Sequence, residues 1–499
     1  MGALVEVVRG GSAPGRETPA DLETHGTGRL HHNVGRLLTV LGFGLPVAGY
    51  LWLIARYSVN DIYQDQWSDV TVIQHAYSHL FDWGLLWSQH NEDRIFFPNL
   101  IVVLLAHTTS MNISAEECLS ATMLFVATAL LIWAHKRRSP TIPWLYYCPV
   151  AILACSIVQY GATLWGFQMA WYLVLLSMAT AVALIDRVRL TWLVMAGAMA
   201  AAVVGSFSSL QGLLIWPVGL VLLYCRRRSG RFVIAWIGGA AVSAVLYLHD
   251  FNTSAGLDFP SSLTRHAISP VYFAIFAIGD VVGVPVKYGG HNDAVLALGF
   301  IIVILAVAVV GIYGIQRDEH SGTPVGIALI CFGLLFAALV AKGRAPLGYW
   351  AASSSGYTIY DVLILAGVYL ALLGRSSLSP DDQRSVDRSV PAAEHQAGSS
   401  QSGTARWPDS LVLRFGRWLV MAMIVLQLIV GTQQGIEGAR LIHAAQVRAA
   451  TTALHIKRAS DLEVLDNLNF SEPPAFTRHQ AEIARALHLS LFAGTSGGS

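Results

Sequence analysis

The sequence predicts an all-α fold, a polytopic transmembrane helical bundle of about eleven spans with interfacial helices in its first outer loop. Three observations lead there. Of 499 residues, 54% are hydrophobic and only 13% charged, where a soluble domain carries about 25% charged residues. The mean hydropathy is +0.53, and apolar runs of membrane-crossing length recur along the chain. Clusters of Arg and Lys follow alternate runs, the placement that sets topology by the positive-inside rule. The net charge of +1 gives no sign of a nucleic-acid partner.

Residues 1–36 are polar, contain Gly and Pro and have no apolar core. They read as a disordered cytoplasmic N-terminus and not as a cleavable signal. Arg9, Arg16, Arg29 and Arg36 precede the first span, 37–55, so the loop 57–113 emerges on the outer face. Within that loop the run 95–107 is about 13 residues long, too short to cross, and is expected to lie in the interface. The run 114–133 goes inward to His135, Lys136, Arg137 and Arg138. Then 142–158 goes out, QYGATLWGFQ turns, and 170–185 returns to Arg187 and Arg189. Next 190–204 goes out, SFSSLQG turns, and 213–224 returns to Arg226, Arg227 and Arg228.

Beyond the span 232–248 lies a second outer loop, 249–292. Its apolar piece 271–286 is broken by Gly279, Asp280 and Pro285 and is expected to be re-entrant or interfacial. The run 294–312 comes in to Arg317, 325–340 goes out, and 358–373 comes in to Arg375, closing a transmembrane core of 37–375. Residues 376–408, rich in Ser, Asp, Arg, Gln and Gly, are expected to form a disordered cytoplasmic linker. The last span falls in 409–432, and 433–499 follows as an extracytoplasmic tail with helical patterning at 436–456 and 476–491. Cys118, Cys148, Cys155, Cys225 and Cys331 form no CxxC pair and read as small buried hydrophobes.

The segment DIYQDQWSDV, followed by SQHNEDRIFFP, is the densest group of acids, His, Gln and Trp outside the tails. If the first part is helical, Asp61, Asp65 and Asp69 share a face at spacing four and raise one another's pKa. That suits a carboxylate base, and it equally suits a solvated helix start. Trp67, Trp83 and Trp87 can stack on sugar rings or anchor at the interface. His90, Asn91, Glu92, Asp93 and Arg94 sit at an apolar boundary, where polar groups are costly unless paired or used. Arg94 can hold a phosphate or snorkel, and Glu92 can support Asp65. Lys342 and Arg344 in KGRAPLGYW suit a lipid phosphate, while Gln159, Trp165 and Gln168 offer hydrogen bonds and a stacking face. There is no nucleotide-binding loop, HExxH or serine-hydrolase elbow. No cofactor is indicated and no metal motif is present, although Asp65, His90, Glu92 and Asp93 could ligate a divalent cation.

In order and side, these features resemble the GT-C superfamily of polyprenyl-phosphate-sugar-dependent membrane glycosyltransferases, and bacterial GT-C-like membrane proteins in particular. Asp65 in YQDQW stands where that family keeps its loop-one catalytic carboxylate. HNEDRIFFPNL is similar to the entry of its juxtamembrane helix. QYGATLWGFQMAW, SFSSLQGLLIWPVGL, KGRAPLG and SSSGYTIY also resemble segments of such proteins. Such proteins often carry Arg before the tyrosine near the end of that loop, where this chain has Gly356 before Tyr357, so the expected phosphate contact moves to Arg344.

The resemblance implies an inverting glycosyltransferase in the inner (plasma) membrane with its active site outside the cytoplasm. Asp65 and Glu92 are the catalytic candidates. Asp61, Trp67, His90, Asn91, Arg94, Gln159, Trp165, Gln168, Lys342, Arg344 and Tyr357 are the substrate-binding candidates. The partners implied are a polyprenyl-phosphate sugar, the bilayer and a glycan, lipid or protein acceptor. A lipid-linked-glycan flippase would want charges at mid-membrane and repeated halves, and the sequence has neither. A non-catalytic envelope-assembly subunit would share most of these features.

Overall fold

The computed structural model describes residues 19–78, 82–252, 267–286, 290–316, 321–375, 411–469 and 472–493. The described chain is helical apart from one short hairpin. In order the helices are α1 (Pro19–Tyr57), α2 (Asp69–Tyr77), α3 (Trp83–Trp87), α4 (Phe96–Thr109), α5 (Ile113–Arg138), α6 (Cys148–Ala154) and α7 (Tyr160–Thr163). There follow α8 (Met169–Ile185), α9 (Trp192–Ser206), α10 (Ile215–Cys225), α11 (Gly230–Leu248), α12 (Pro270–Asp280) and α13 (Asp293–Gln316). The series ends with α14 (Thr323–Arg344), α15 (Tyr349–Ala352), α16 (Thr358–Arg375), α17 (Leu411–Leu426), α18 (Thr432–Leu454), α19 (Asp461–Asn467) and α20 (Pro474–Ala486). The hairpin strands are β1 (Gln89–His90) and β2 (Asp93–Arg94).

Among the described residues eight helical stretches are long and apolar enough to cross a membrane: Asn33–Tyr57, Ile113–Arg138, Trp144–Thr163, Gly166–Ile185, Gly230–Leu248, Asp293–Gly314, Thr323–Leu347 and Phe415–Leu454. The chain is therefore an all-α protein of multi-pass membrane type. Five apolar helices are shorter: Phe96–Thr109, Trp192–Ser206, Leu210–Cys225, Pro270–Asp280 and Thr358–Leu373. Large apolar side chains such as Leu45, Ile234, Val245, Ile304, Phe415 and Trp418 stay exposed, the composition of a lipid-facing wall.

Contacts divide the bundle into two ends. At one end the loops after α1, α7, α9, α11 and α14 meet: Trp165 reaches Tyr63, Asp93 reaches Ser209, Arg94 reaches Tyr247, and Glu92 reaches Arg344. At the other end the cations gather. Asp186, fully buried after α8, accepts from Arg226 Nε at 2.7 Å and lies 3.3 Å from Arg137 and 3.4 Å from Arg138. His135 and Ser139 join this end, contacting Leu370 O at 2.9 Å and Gly322 N at 3.3 Å. Helix α4 starts and finishes at the loop end. Phe97 N donates to Phe207 O at 3.2 Å, and Ser110 O accepts from Ser490 N at 2.7 Å. At 14 residues it is among the shorter apolar helices.

Glycine sets the closest helix approach at α12. A Cβ on Gly279 would lie 1.9 Å from Val295 O, and one on Gly299 would lie 1.9 Å from Ile275 O. The glycine read as an interruption is thus the packing contact that lets α12 lie against α13.

Three expectations change. Helix α1 begins at Pro19, well ahead of the first span expected at 37–55. Cys118 is exposed, whereas Cys148 and Cys155 are buried, and all five cysteines are free thiols. Helix α18 continues the last span through a π turn, Gln427–Gly431, so the tail leaves the bundle as an extension of that span. The linker 376–408 lies outside the described residues.

The tail folds back onto the loop end. His443 Nδ1 lies 2.9 Å from Tyr57 O, Gln446 Nε2 donates to Leu164 O at 2.6 Å, and Gln64 N donates to Leu468 O at 2.8 Å. A Ser460–Glu463 capping box starts α19, and Leu489 and Phe492 are fully buried.

Candidate functional site

The site is built on the hairpin of the QHNEDR segment. Its register pairs Gln89 with Arg94 and His90 with Asp93, and Asn91 takes the left-handed turn position at φ 49°. The hairpin is anchored from below. Arg94 is buried, and its guanidinium donates to Tyr247 O at 2.6 Å, to Trp87 O at 2.9 Å and to His249 O. Asp93 accepts from Ser209 Oγ at 2.8 Å and from Leu210 N at 2.6 Å. Tyr247 OH donates to Glu92 O at 2.9 Å.

The same hairpin presents two charged groups that stay partly open. His90 Nε2 stands 4.0 Å from Asp65 Oδ2, with the side chains 20% and 23% exposed. Glu92 pairs with Arg344 at the end of α14, and those side chains are 27% and 26% exposed. Asp65 lies in the first turn of a 3₁₀ helix, Gln64–Ser68. Gln64 enters it with a left-handed φ of 52°, and its amide is held by Leu468 O of the tail.

Burial dominates the electrostatics under these groups. It pushes the Asp61 carboxyl up to about 8. Asp69 rises to about 7, through burial with Asp65 adding and His90 opposing. Burial and the charge of Glu92 raise Asp93 to about 6 against its two hydrogen bonds. For His90 burial disfavours the cation, but Asp65, Asp69 and Asp93 outweigh it and hold the imidazole above its usual range. Burial lifts Tyr357 to about 12, with Arg344 opposing. The arrangement can accept a proton at Asp65 and hold an anion at Arg344, with both groups referenced to one rigid turn.

Several sequence expectations need correction. Asp61 is not on a shared face with Asp65 and Asp69, because 61–63 is not helical and the helical turn begins only at Gln64. It is fully buried, and both carboxylate oxygens lack a hydrogen-bond partner. It is not placed to touch a substrate. Trp67 is likewise fully buried, a core side chain and not a sugar platform. Arg94 spends its donors on three carbonyls and is a strut, not a phosphate ligand. Gln159 is buried with its amide on Ala154 O at 2.6 Å, and Gln168 is also buried.

Trp165 stays half-buried, its indole N–H donating to Tyr63 O at 3.3 Å. Lys342 is exposed near Arg344 in sequence, and Tyr357 stacks on Trp171 with centroids 6.1 Å apart.

The structure also adds residues. Glu116 and Glu117, at the start of α5, are buried beneath the loop. Glu116 Oε2 accepts from Gln66 Nε2 at 3.0 Å, and Glu117 lies close enough to Asp61 for their charges to oppose. Gly166 makes room for the first pair, since a Cβ there would meet Glu116 Oε2 at 2.3 Å. Two adjacent acids opening an apolar run were the available signal. The Asp186 carboxylate carried no such signal, because its cationic partners come from the ends of two other helices, α5 and α10.

Among the described residues no group of three or more His, Cys, Asp or Glu is placed to hold a metal ion. Nor does any candidate residue line the small cavity enclosed by Val72, His75, Ala76, Asp82, Leu85, Leu86 and Val103. Comparison with protein-family models, with curated proteins and with solved structures finds no match to this chain.

Proposed function

We propose that this protein is a GT-C-type membrane glycosyltransferase that moves a sugar from a polyprenyl-phosphate donor to an acceptor hydroxyl at the loop end of the bundle. The observation that carries the reading is the hairpin Gln89–Arg94, which sets His90 beside Asp65 and Glu92 beside Arg344. Phosphate displacement by a hydroxyl needs both a base and a cation.

In this scheme Asp65 takes the proton of the acceptor hydroxyl as its oxygen bonds to the anomeric carbon. The bond from that carbon to the phosphate oxygen breaks, and the electron pair leaves with the lipid phosphate. Arg344, with Lys342 near it in sequence, meets the charge that develops there. Glu92 orients Arg344, and His90 orients Asp65 and stabilises its carboxylate. Configuration inverts, because one displacement occurs.

Reading three of the short helices, Trp192–Ser206, Leu210–Cys225 and Thr358–Leu373, as spans beside the eight gives eleven. The positive-inside rule then puts the Asp186 end in the cytoplasm, and the loop end with its tail on the outer face of the plasma membrane.

The experiment is mass spectrometry of envelope glycolipids and glycoproteins from cells with and without this protein. The proposal expects one glycan to lose a single sugar in its absence. Unchanged glycans together with solute uptake by proteoliposomes would replace it with a transporter.

A further inference from the structure

We infer that the acceptor is itself a carbohydrate, bound by an aromatic shelf of Tyr63, Trp165 and Phe167 that ends at His90 and Asp65. The inference rests on the transferase reading above and adds the acceptor's chemical class.

The shelf is assembled from two loops. Trp165 and Phe167 flank Gly166 and lie stacked, with centroids 5.8 Å apart and planes 29° from parallel. Tyr63 closes on Trp165 edge-on at 6.4 Å, and its carbonyl takes the indole N–H at 3.3 Å. His90 meets Phe167 at 5.2 Å, and Asp65 stands 4.0 Å beyond the imidazole. All five side chains are only half-buried, in a region where Trp67, Gln66 and Asp61 are fully buried. The bare Cα of Gly166 lets the turn settle on Gln66 and Glu116, because a Cβ would lie 2.7 Å from Gln66 Nε2.

Core aromatics are buried on all sides. These keep accessible surface beside the proposed base. An aromatic surface built on the stacked Trp165 and Phe167 and bordered by a carboxylate and an imidazole matches a pyranose or furanose ring. Such a ring offers a C–H face to stack and a rim of hydroxyls to hydrogen-bond. A peptide acceptor bound by strand addition would want a longer edge, because the hairpin strands here are two residues each. A lipid acceptor would want an apolar rim in place of Asp65 and His90.

The test uses the full chain in nanodiscs and saturation-transfer NMR. The probes are methyl α-mannopyranoside, methyl β-galactopyranoside and methyl α-arabinofuranoside, with an acetylated Ser-containing peptide amide and glycerophosphoglycerol as controls. At least one glycoside should receive saturation at its ring C–H protons. Its affinity should fall about tenfold in Trp165→Ala and recover in Trp165→Phe. Phe167→Leu should weaken binding in the same sense, which guards against misfolding of the Trp165 variant. The inference is overturned if no glycoside binds, if binding ignores both substitutions, or if the peptide or headgroup alone binds in a Trp165-dependent way. Glycoside binding without transfer in any assay would keep the shelf and remove the transferase. Transfer to a peptide, indifferent to Trp165, would keep the transferase and remove the glycan acceptor.

Discussion

Replacing Arg94 by lysine separates a strut from a phosphate ligand. The guanidinium holds the carbonyls of Trp87, Tyr247 and His249 at once, with the side chain buried. Lysine keeps the charge but is a compact point donor that cannot reproduce the planar fork. About two of the three bonds are therefore lost. A hydrogen bond to a charged group contributes about 1.5–3 kcal/mol, and the His249 end is open to solvent, so the lower half of that range applies. The expected cost is about 3–4.5 kcal/mol. Thermal unfolding in nanodiscs, followed by tryptophan fluorescence, should show a fall of several degrees. Hydrogen exchange should quicken across 89–94, the hairpin that carries His90 and Glu92. An unchanged melting temperature combined with weakened donor binding would refute this reasoning and return Arg94 to the phosphate.

Three further outcomes follow from the same geometry. Asp186→Asn leaves Arg137, Arg138 and Arg226 facing each other around a buried amide, which should cost about 3–5 kcal/mol and is checked by thermal unfolding in detergent; a change below about 1 kcal/mol would contradict the clamp. The Asp61 carboxyl, held at about 8 in the fold by burial against its ordinary 3.8, binds more protons folded than unfolded between those values. Its contribution to stability is therefore full at low pH and lost as pH rises toward 8. Asp61→Asn should flatten the fall in melting temperature between about pH 5 and 8 and stabilise the protein at pH 9, and an unchanged slope would contradict the burial of an unpaired acid. Gly438→Ala places a Cβ 2.1 Å from the Tyr160 ring; overpacking of this kind costs about 1–3 kcal/mol, and limited proteolysis should then cut the tail faster, unless the tail is not docked.

How far the sequence revealed this molecule follows from which interactions are local. Apolar length and cation placement are local properties, so the all-α multi-pass character, the short helix Phe96–Thr109 and the grouping of Arg137, Arg138 and Arg226 at one end were legible. The adjacency of His90, Glu92 and Asp93 was legible as a cluster, but its hairpin geometry was not. Glu92 sits in the turn and Arg94 in the strand that follows it, and that decides that Arg94 goes down to Tyr247 while Glu92 meets Arg344. Burial was the hardest property to read. Asp61, Trp67 and Gln159 have polar or amphipathic identities suited to a site, and only the tertiary fold shows that they are buried. The tail's return onto Gln64 and Asn60 depends on contacts more than 400 residues apart in the chain, beyond any periodicity.

The most direct measurement is transfer of a radiolabelled sugar from a polyprenyl phosphate by the purified chain in proteoliposomes, comparing Asp65→Asn with the unaltered protein at equal folded amount. Loss of a general base costs about 10²–10⁴-fold in rate, and the account predicts a loss in that range with the melting temperature unchanged. Transfer by Asp65→Asn at a rate near that of the unaltered protein would contradict it.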